Sequence, residues 1–408
     1  MPHGGRDGRG APRGRAFWSV AYALAVISMG TTLPSPLYAV YQGDWHFSAG
    51  TLTVVFAAFI AGVIVALVFL AGLSDALGRR RVLLQALALA AISALVFALA
   101  PRVMWLLVAR ALVGLATGVA TGAAVAALDE LHPDGDRRRA SLVSTVSNVS
   151  GFAVGPLLAG LLVQYGPRPT LLVWVVYLAL LVPAFLGVWA IPETALLASG
   201  LSVRPHIGVA PGLRVPFALA ATVVFCAFAG SGLYTALASS VVTGLLHMCN
   251  RAIGGAIVFA LLGTSAVAQV ALRRLPDRQA MGGGLVILVG GLTVLTVAVR
   301  DESFVVFLVS AVCVGLGHGL AFRGSLAFVT RLPPPTGREG MVAGYFVVAY
   351  LGLGVPVLGV GLASERIGFG AAADAFTGVL GALALGAAMA IARSTRRRGG
   401  DAIPQSRF

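Results

Sequence analysis

Few side chains in this 408-residue chain could carry chemistry, and they fall into four groups. The first is a polar turn, Leu73-Ser-Asp75-Ala-Leu-Gly78-Arg79-Arg80-Arg81, lying between two apolar runs. An acid precedes a glycine by three residues and three arginines follow, so the chain can bend sharply there and pair charge where the runs end. Asp129 and Glu130, at the close of the fourth apolar run, are the acids expected to share those arginines. The second is Arg110, about seven residues into the fourth run and roughly 10 Å from its outer end at 1.5 Å per residue. A bare guanidinium at that depth costs at least a few kcal/mol unless it snorkels to the rim. The third is His318 in the tenth run, near mid-membrane, whose ordinary pKa of about 6.5 suits proton exchange. A hydrogen-bonded structural histidine is the competing reading. The fourth is Thr32-Leu-Pro34-Ser35-Pro36, where two prolines in an apolar run free backbone carbonyls that must find partners in protein or a cavity. A kinked helix end is the alternative there.

The elements that must position these groups follow from composition. With 58% hydrophobic and 11% charged residues and a mean hydropathy of +0.92, the chain has too little polar surface to coat a soluble globule. Runs of about 20 apolar residues span some 30 Å of hydrocarbon. They lie near 17–41, 48–72, 82–100, 103–127, 141–163, 170–190, 215–244, 252–272, 281–299, 303–326, 341–363 and 370–392. The expected class is an all-α membrane protein with twelve transmembrane helices. The seventh run is long enough to be tilted or broken at Gly230 and Gly232.

A net charge of +14 would suit nucleic acid only on a water-exposed domain, and none is legible. Topology accounts for the charge better. All 29 basic residues are arginine, and they crowd one set of loops, while the opposite loops carry only Arg102, Arg168, Arg251, Arg300 and Arg366. The positive-inside rule then places both termini in the cytoplasm. The first run is longer than a signal-peptide core and no small-x-small cleavage site follows, so it reads as a retained helix. Absence of lysine with abundant Ala, Gly and Arg fits a GC-rich bacterial genome. Cys226, Cys249 and Cys313 have no CxxC spacing, which points to neither a disulfide framework nor a metal site, and no cofactor is expected.

A shift of about 200 residues superposes Val113-Gly-Leu-Ala-Thr-Gly118 on Val314-Gly-Leu-Gly-His-Gly319, Leu131-His-Pro133 on Leu332-Pro-Pro334, Arg138 on Arg338 and Pro156 on Pro356. Asp75 is echoed by Asp277 in the loop after the eighth run. The chain therefore reads as two pseudo-symmetric six-helix halves, 17–192 and 214–392. A linker at 193–213 joins them, and tails at 1–16 and 393–408 flank them.

The polar turn resembles the loop between helices two and three of major facilitator superfamily transporters, Gly-x-Leu-Ala-Asp-Arg-x-Gly-Arg-Lys, on which Leu73, Asp75, Gly78, Arg79 and Arg80 fall. Ala71 and Ala76 depart from it. Parallel six-helix repeats are the arrangement of that fold. The resemblance implies that the first and fourth helix of each half surround a substrate cavity, with Thr32, Pro34, Ser35, Tyr38, Thr117, Tyr234, Thr235 and His318 as candidate lining residues. It also implies that Asp75, Gly78, Arg79, Arg80, Asp129 and Glu130 form a conformational switch. Arg110, followed by Gly114 and Gly118, resembles the basic helix-four element that the family links to proton transfer.

The fifth run contains Gly151-Phe-Ala-Val-Gly155-Pro156-Leu-Leu-Ala-Gly160, which puts small residues on one face for close helix contact, with a proline to bend it. It resembles the helix-five element of proton-driven drug exporters in the same superfamily. The implied function is proton-coupled efflux of a small amphipathic organic compound (a drug, antibiotic or secondary metabolite) by a monomer in the lipid of a bacterial cytoplasmic membrane. Arg110, His318 and Asp75 are the proton-coupling candidates. The first, fourth, seventh and tenth runs lack a well-buried Asp or Glu, which favours the alternative of an importer or facilitator of a neutral metabolite. A membrane-embedded enzyme would need clustered catalytic groups, and the scattered His3, His46, His132, His206, His247 and His318 give none. With no GxxxxGK[ST] loop, an ion gradient is the expected energy source.

Overall fold

The computed structural model describes residues 10–70, 72–194, 208–248, 250–332 and 338–400, with side chains for all of these except 10–12, 75, 338–339 and 395–400. In chain order the helices are α1 (Gly10–Thr32), α2 (Tyr38–Trp45), α3 (Ala49–Phe69), α4 (Leu73–Leu77), α5 (Arg79–Ala98), α6 (Val103–Leu131) and α7 (Arg137–Tyr165). They continue as α8 (Pro169–Trp189), α9 (Arg214–Gly244), α10 (Ala252–Ala271), α11 (Asp277–Arg300), α12 (Phe304–Thr330), α13 (Arg338–Ile367) and α14 (Phe369–Gly400). Among the described residues eleven of these, α3 and α5 to α14, are long and apolar enough to cross a membrane. The first apolar run is the exception. It is split into α1 and α2, and Ser19, Tyr22, Ser28, Thr31 and Thr32 lower the hydropathy of α1. Large apolar side chains such as Leu99, Val215 and Val379 stand exposed, as they do where lipid replaces water.

The chain divides into two compact units, one of Met1–Phe47, Val54–His206 and Cys249–Phe259, the other of Ser48–Thr53, Ile207–Met248 and Ala260–Phe408. In the first unit Trp174 of α8 is fully buried, stacked on Phe97 of α5 with centroids 4.3 Å apart, and its indole N–H donates to Tyr41 of α2 at 3.3 Å. In the second, α11 and α12 pack backbone to backbone: a Cβ at Gly317 would lie 2.6 Å from Leu288 N.

Two expectations are corrected. The seventh run is not broken. Helix α9 is continuous through Gly230 and Gly232, whose missing side chains admit Leu288 of α11 and the Leu353 carbonyl of α13. Glycine there serves close approach, not flexibility. Asp277 is not a loop acid equivalent to Asp75. It is the first residue of α11, and its carboxylate pairs with Arg331 just beyond α12 at 2.6 Å.

Candidate functional site

The polar turn folds around Gly78, which parts α4 from α5 at φ +97°, a conformation that other residues rarely adopt. The side chain of Asp75, in α4, lies outside the described residues. Against Gly78 sits Glu193, whose Oε1 accepts from the backbone N–H of Arg79 at 2.7 Å and of Arg80 at 3.4 Å. Those groups open α5, so a carboxylate meets the positive end of a helix. The Arg79 side chain reaches Glu130 at 3.4 Å and donates to Ser74 Oγ at 2.5 Å, and Glu130 accepts from Thr194 Oγ1 at 2.5 Å. Asp129 turns away to Arg137 at 3.3 Å. Of the two acids, Glu130 joins the turn. Glu193 was not singled out by its sequence context, where it stands next to a proline at the start of an apparent linker.

At the first break Pro34 and Pro36 cannot donate to the carbonyls of Gly30 and Thr32, and Ser35, which lies between them, turns to the one that Pro36 leaves free. Ser35 N–H donates to Thr32 O at 3.0 Å, not to Thr31 O as an unbroken helix would require. The Thr31 carbonyl is thus released, and Arg110 Nη1 takes it at 2.6 Å. Arg110 Nε donates to the Tyr38 hydroxyl at the start of α2. The guanidinium carbon lies 5.2, 5.4 and 5.5 Å from the ring centroids of Tyr38, Phe56 and Phe59, within cation–π range. Arg110 is completely buried, which excludes the snorkelling position at the rim, and its Nη2 has no hydrogen-bond partner among the described residues.

The helix-five element closes against the same break. A Cβ on Gly155 would lie 2.7 Å from both Met29 O and Thr32 Oγ1, and one on Gly151 would strike Ala25 O. Pro156 cannot donate to Phe152 O, and the Thr32 hydroxyl does so at 2.9 Å. Gly160 approaches Ala252 at the start of α10, 3.2 Å from its Cα to a Cβ placed there.

Of the remaining candidates, Pro34 and the buried Ser35 form the break itself. Thr117 bonds back to Val113 O at 2.8 Å, and Thr235 to Ser231 O and Gly232 O at 3.1 Å each. Tyr234 meets Ser310 Oγ at 2.5 Å, and Ser310 donates to Gly291 O at 2.6 Å. His318 is buried with Nδ1 2.8 Å from Ser265 Oγ, an oxygen that accepts from Gln269 Nε2 at 3.3 Å. Its ring faces Phe228 and Phe322, and its Nε2 has no partner among the described residues. Arg323 donates to the carbonyls of Arg273 and Leu275, both at 2.6 Å. No group of three or more His, Cys, Asp or Glu among the described residues could hold a metal ion.

The two units repeat these ties with altered chemistry. Arg79 at the start of α5 pairs with Glu130 at the end of α6, and Asp277 at the start of α11 pairs with Arg331 after α12, with the signs exchanged. Tyr38 of the first run bonds Arg110 of the fourth, and Tyr234 of the seventh bonds Ser310 of the tenth. Ser93 Oγ donates to Ala109 O at 2.7 Å, mirroring Ser310 and Gly291.

Residues 20–357 match the family model of the Major Facilitator Superfamily. The chain belongs to this superfamily. Among curated proteins it is similar to two uncharacterized MFS-type transporters of Mycobacterium tuberculosis, from strains CDC 1551 and H37Rv, each 28% identical over 240 residues. That match takes in 58% of this chain and 33% of each relative, so it spans about a third of their length. Among solved structures it resembles a bacterial homolog of the human lysosomal transporter Spinster. In the inward-facing, unoccupied form of that homolog the TM-score is 0.67 at 15% identity, covering 95% of this chain and 96% of that one. In the inward-facing, occupied form the values are 0.69 and 14%, covering 94% and 97%. At such identity the likeness concerns the fold. This major facilitator protein is an all-helical, multi-pass membrane protein with the fold of the superfamily.

Proposed function

We propose that this transporter exports a small amphipathic organic compound (a drug, antibiotic or secondary metabolite) in exchange for protons, by alternating access. It works as a monomer in the lipid of a bacterial cytoplasmic membrane, with residues 1–16 and 393–408 as cytoplasmic tails and 193–213 joining halves 17–192 and 214–392. The observation that carries this reading is the helix-five element. Its glycines bring α7 onto α1, and its proline hands the Phe152 carbonyl to Thr32, beside the break that holds Arg110. An element associated with antiport is thereby tied to the basic residue associated with proton transfer. Asp75, Gly78, Arg79, Arg80 and Glu130 form the switch, and His318 and Arg110, with Asp75, are the coupling groups.

A second reading, a facilitator or importer of a neutral metabolite, is favoured by one observation. Neither Arg110 nor His318 bonds a carboxylate among the described residues. The test is a panel of toxic compounds given to an efflux-deficient host with and without this gene, followed by proton release from purified protein on adding an active compound. Export with proton release is expected. His318→Gln should abolish the release while leaving binding measurable, and Asp75→Asn should slow transport in folded, inserted protein. No proton release from the parent protein favours the facilitator. Release unchanged in His318→Gln moves coupling to Asp75, Asp129 or Glu130.

A further inference from the structure

A guanidinium has five N–H donors. In Arg110 the Nε hydrogen goes to the Tyr38 hydroxyl and one Nη1 hydrogen to the Thr31 carbonyl, while Nη2 meets no acceptor among the described residues, although the side chain is completely buried. Three aromatic rings surround the group and no carboxylate bonds it among the described residues. Rings soften the loss of hydration but offer no acceptor along Nη2.

The second unit shows how little of this the fold requires. There Tyr234 meets Ser310, a neutral hydroxyl, and the corresponding helices still pack with the tyrosine and its partner fully satisfied. A serine-sized neutral group suffices for the structural tie. A permanent cation in the first unit therefore does something the fold does not need. Its natural complement is an anion that takes the free side of the fork in the charge-assisted geometry guanidinium prefers.

We propose that Arg110 Nη2 is the docking point for an anionic head group, a carboxylate or phosphate, on the transported compound, with Phe56 and Phe59 flanking the apolar part next to it. This deepens the proposed function by fixing the charge of the substrate. Access follows from the break. Tyr38 is the first residue of α2, directly after the interrupted stretch 33–37, so a tilt of α2 draws its hydroxyl off Nε and uncovers the guanidinium.

The experiment uses the full-length protein in lipid nanodiscs and three isosteric probes: 4-propylbenzoate, the neutral 4-propylbenzamide and the cationic 4-propylbenzylamine. Binding is read by isothermal titration and by thermal unfolding. The expected result is saturable binding of the carboxylate about tenfold or more tighter than the amide, with the amine weaker still. Arg110→Gln should shrink the carboxylate-to-amide ratio to within about twofold, and Arg110→Lys should retain part of it. Equal binding of carboxylate and amide to the parent protein overturns the proposal without recourse to any variant, as does a preference that survives Arg110→Gln. Counterflow of the carboxylate in proteoliposomes separates this proposal from the export reading. Carboxylate movement without proton coupling leaves the anion site standing and removes antiport. Transport confined to cationic or neutral compounds removes the anion site and leaves export standing.

Discussion

Replacing Gly155 with alanine tests the contact on which the reading of helix five depends. A Cβ there would lie 2.7 Å from Met29 O, 2.7 Å from Thr32 Oγ1 and 3.3 Å from Met29 Cγ. The first neighbour is backbone and cannot swing aside, so α1 and α7 must part, which costs about 1 to 3 kcal/mol as overpacking. Displacing Thr32 also breaks its 2.9 Å bond to Phe152 O, a carbonyl that Pro156 has already deprived of its helical donor. Leaving that acceptor unsatisfied adds about 1 to 3 kcal/mol, for a sum of about 2 to 6 kcal/mol. The control is Gly122→Ala in α6, where a Cβ meets nothing within 4 Å and helix propensity favours alanine by up to about 1 kcal/mol. Both changes add one methyl group, so their difference isolates the contact. The assay is reversible unfolding in mixed lipid–SDS micelles followed by far-UV circular dichroism, with transport measured on the same preparations. Thr32→Val should reproduce the loss of the Phe152 bond alone, and the double variant should fall short of additivity because both changes remove that bond. Equal stabilities for Gly155→Ala and Gly122→Ala would refute the reasoning.

Exchanging Asp277→Arg with Arg331→Asp should leave the double variant about 0.2 to 1 kcal/mol more stable than the sum of the single changes, the range for a pair as exposed as this one. A coupling of zero in that cycle would mean the ions do not pair. Glu193→Gln should loosen the first turn of α5 and slow transport, and hydrogen exchange at Arg80 to Val82 unchanged from the parent would remove its capping role. Asp136 caps α7, and the N–H groups of Arg139 and Arg138 that it accepts hold its carboxyl below the usual carboxylate range. Its folded pKa lies under the unfolded one, so its stabilisation is present above about pH 4 and lost as pH falls through the lower folded value. Protection from exchange at the start of α7, taken relative to the intrinsic rate at about pH 6 and about pH 3, should fall more in the parent than in Asp136→Asn, which still caps but does not ionise.

What was legible in the sequence was what depends on neighbours along the chain. Apolar runs announce membrane helices because length and composition suffice. Pro34 and Pro36 announce free carbonyls because a missing N–H is a property of the residue. That the shift of Ser35 N–H would release the Thr31 carbonyl to Arg110 was not legible, since Arg110 lies 79 residues from Thr31 and only packing brings them together. Glu193 was hidden for the same reason, 114 residues from the N–H it caps. Asp277 misled because the connections ahead of α5 and α11 differ in length. A fixed offset of about 200 therefore set it against Asp75, when its place in the fold is the helix start that Arg79 occupies.

That equivalence explains why Glu193 is needed at all. Helix α11 opens with Asp277, an acid at the positive end of its own helix dipole, and the same carboxylate binds Arg331. One residue both favours the helix end and ties α11 to the next helix. Helix α5 opens with Arg79, Arg80 and Arg81, three cations at a positive end, where each is disfavoured. Its tie to Glu130 therefore has the opposite sign and does nothing for the exposed N–H groups. A separate carboxylate must meet them, and Glu193, which follows α8 in sequence, supplies it at 2.7 Å. Arginine at the start of α5 satisfies the charge pattern of the turn but works against the helix it begins, and the fold answers with an acid brought from the far end of the same unit.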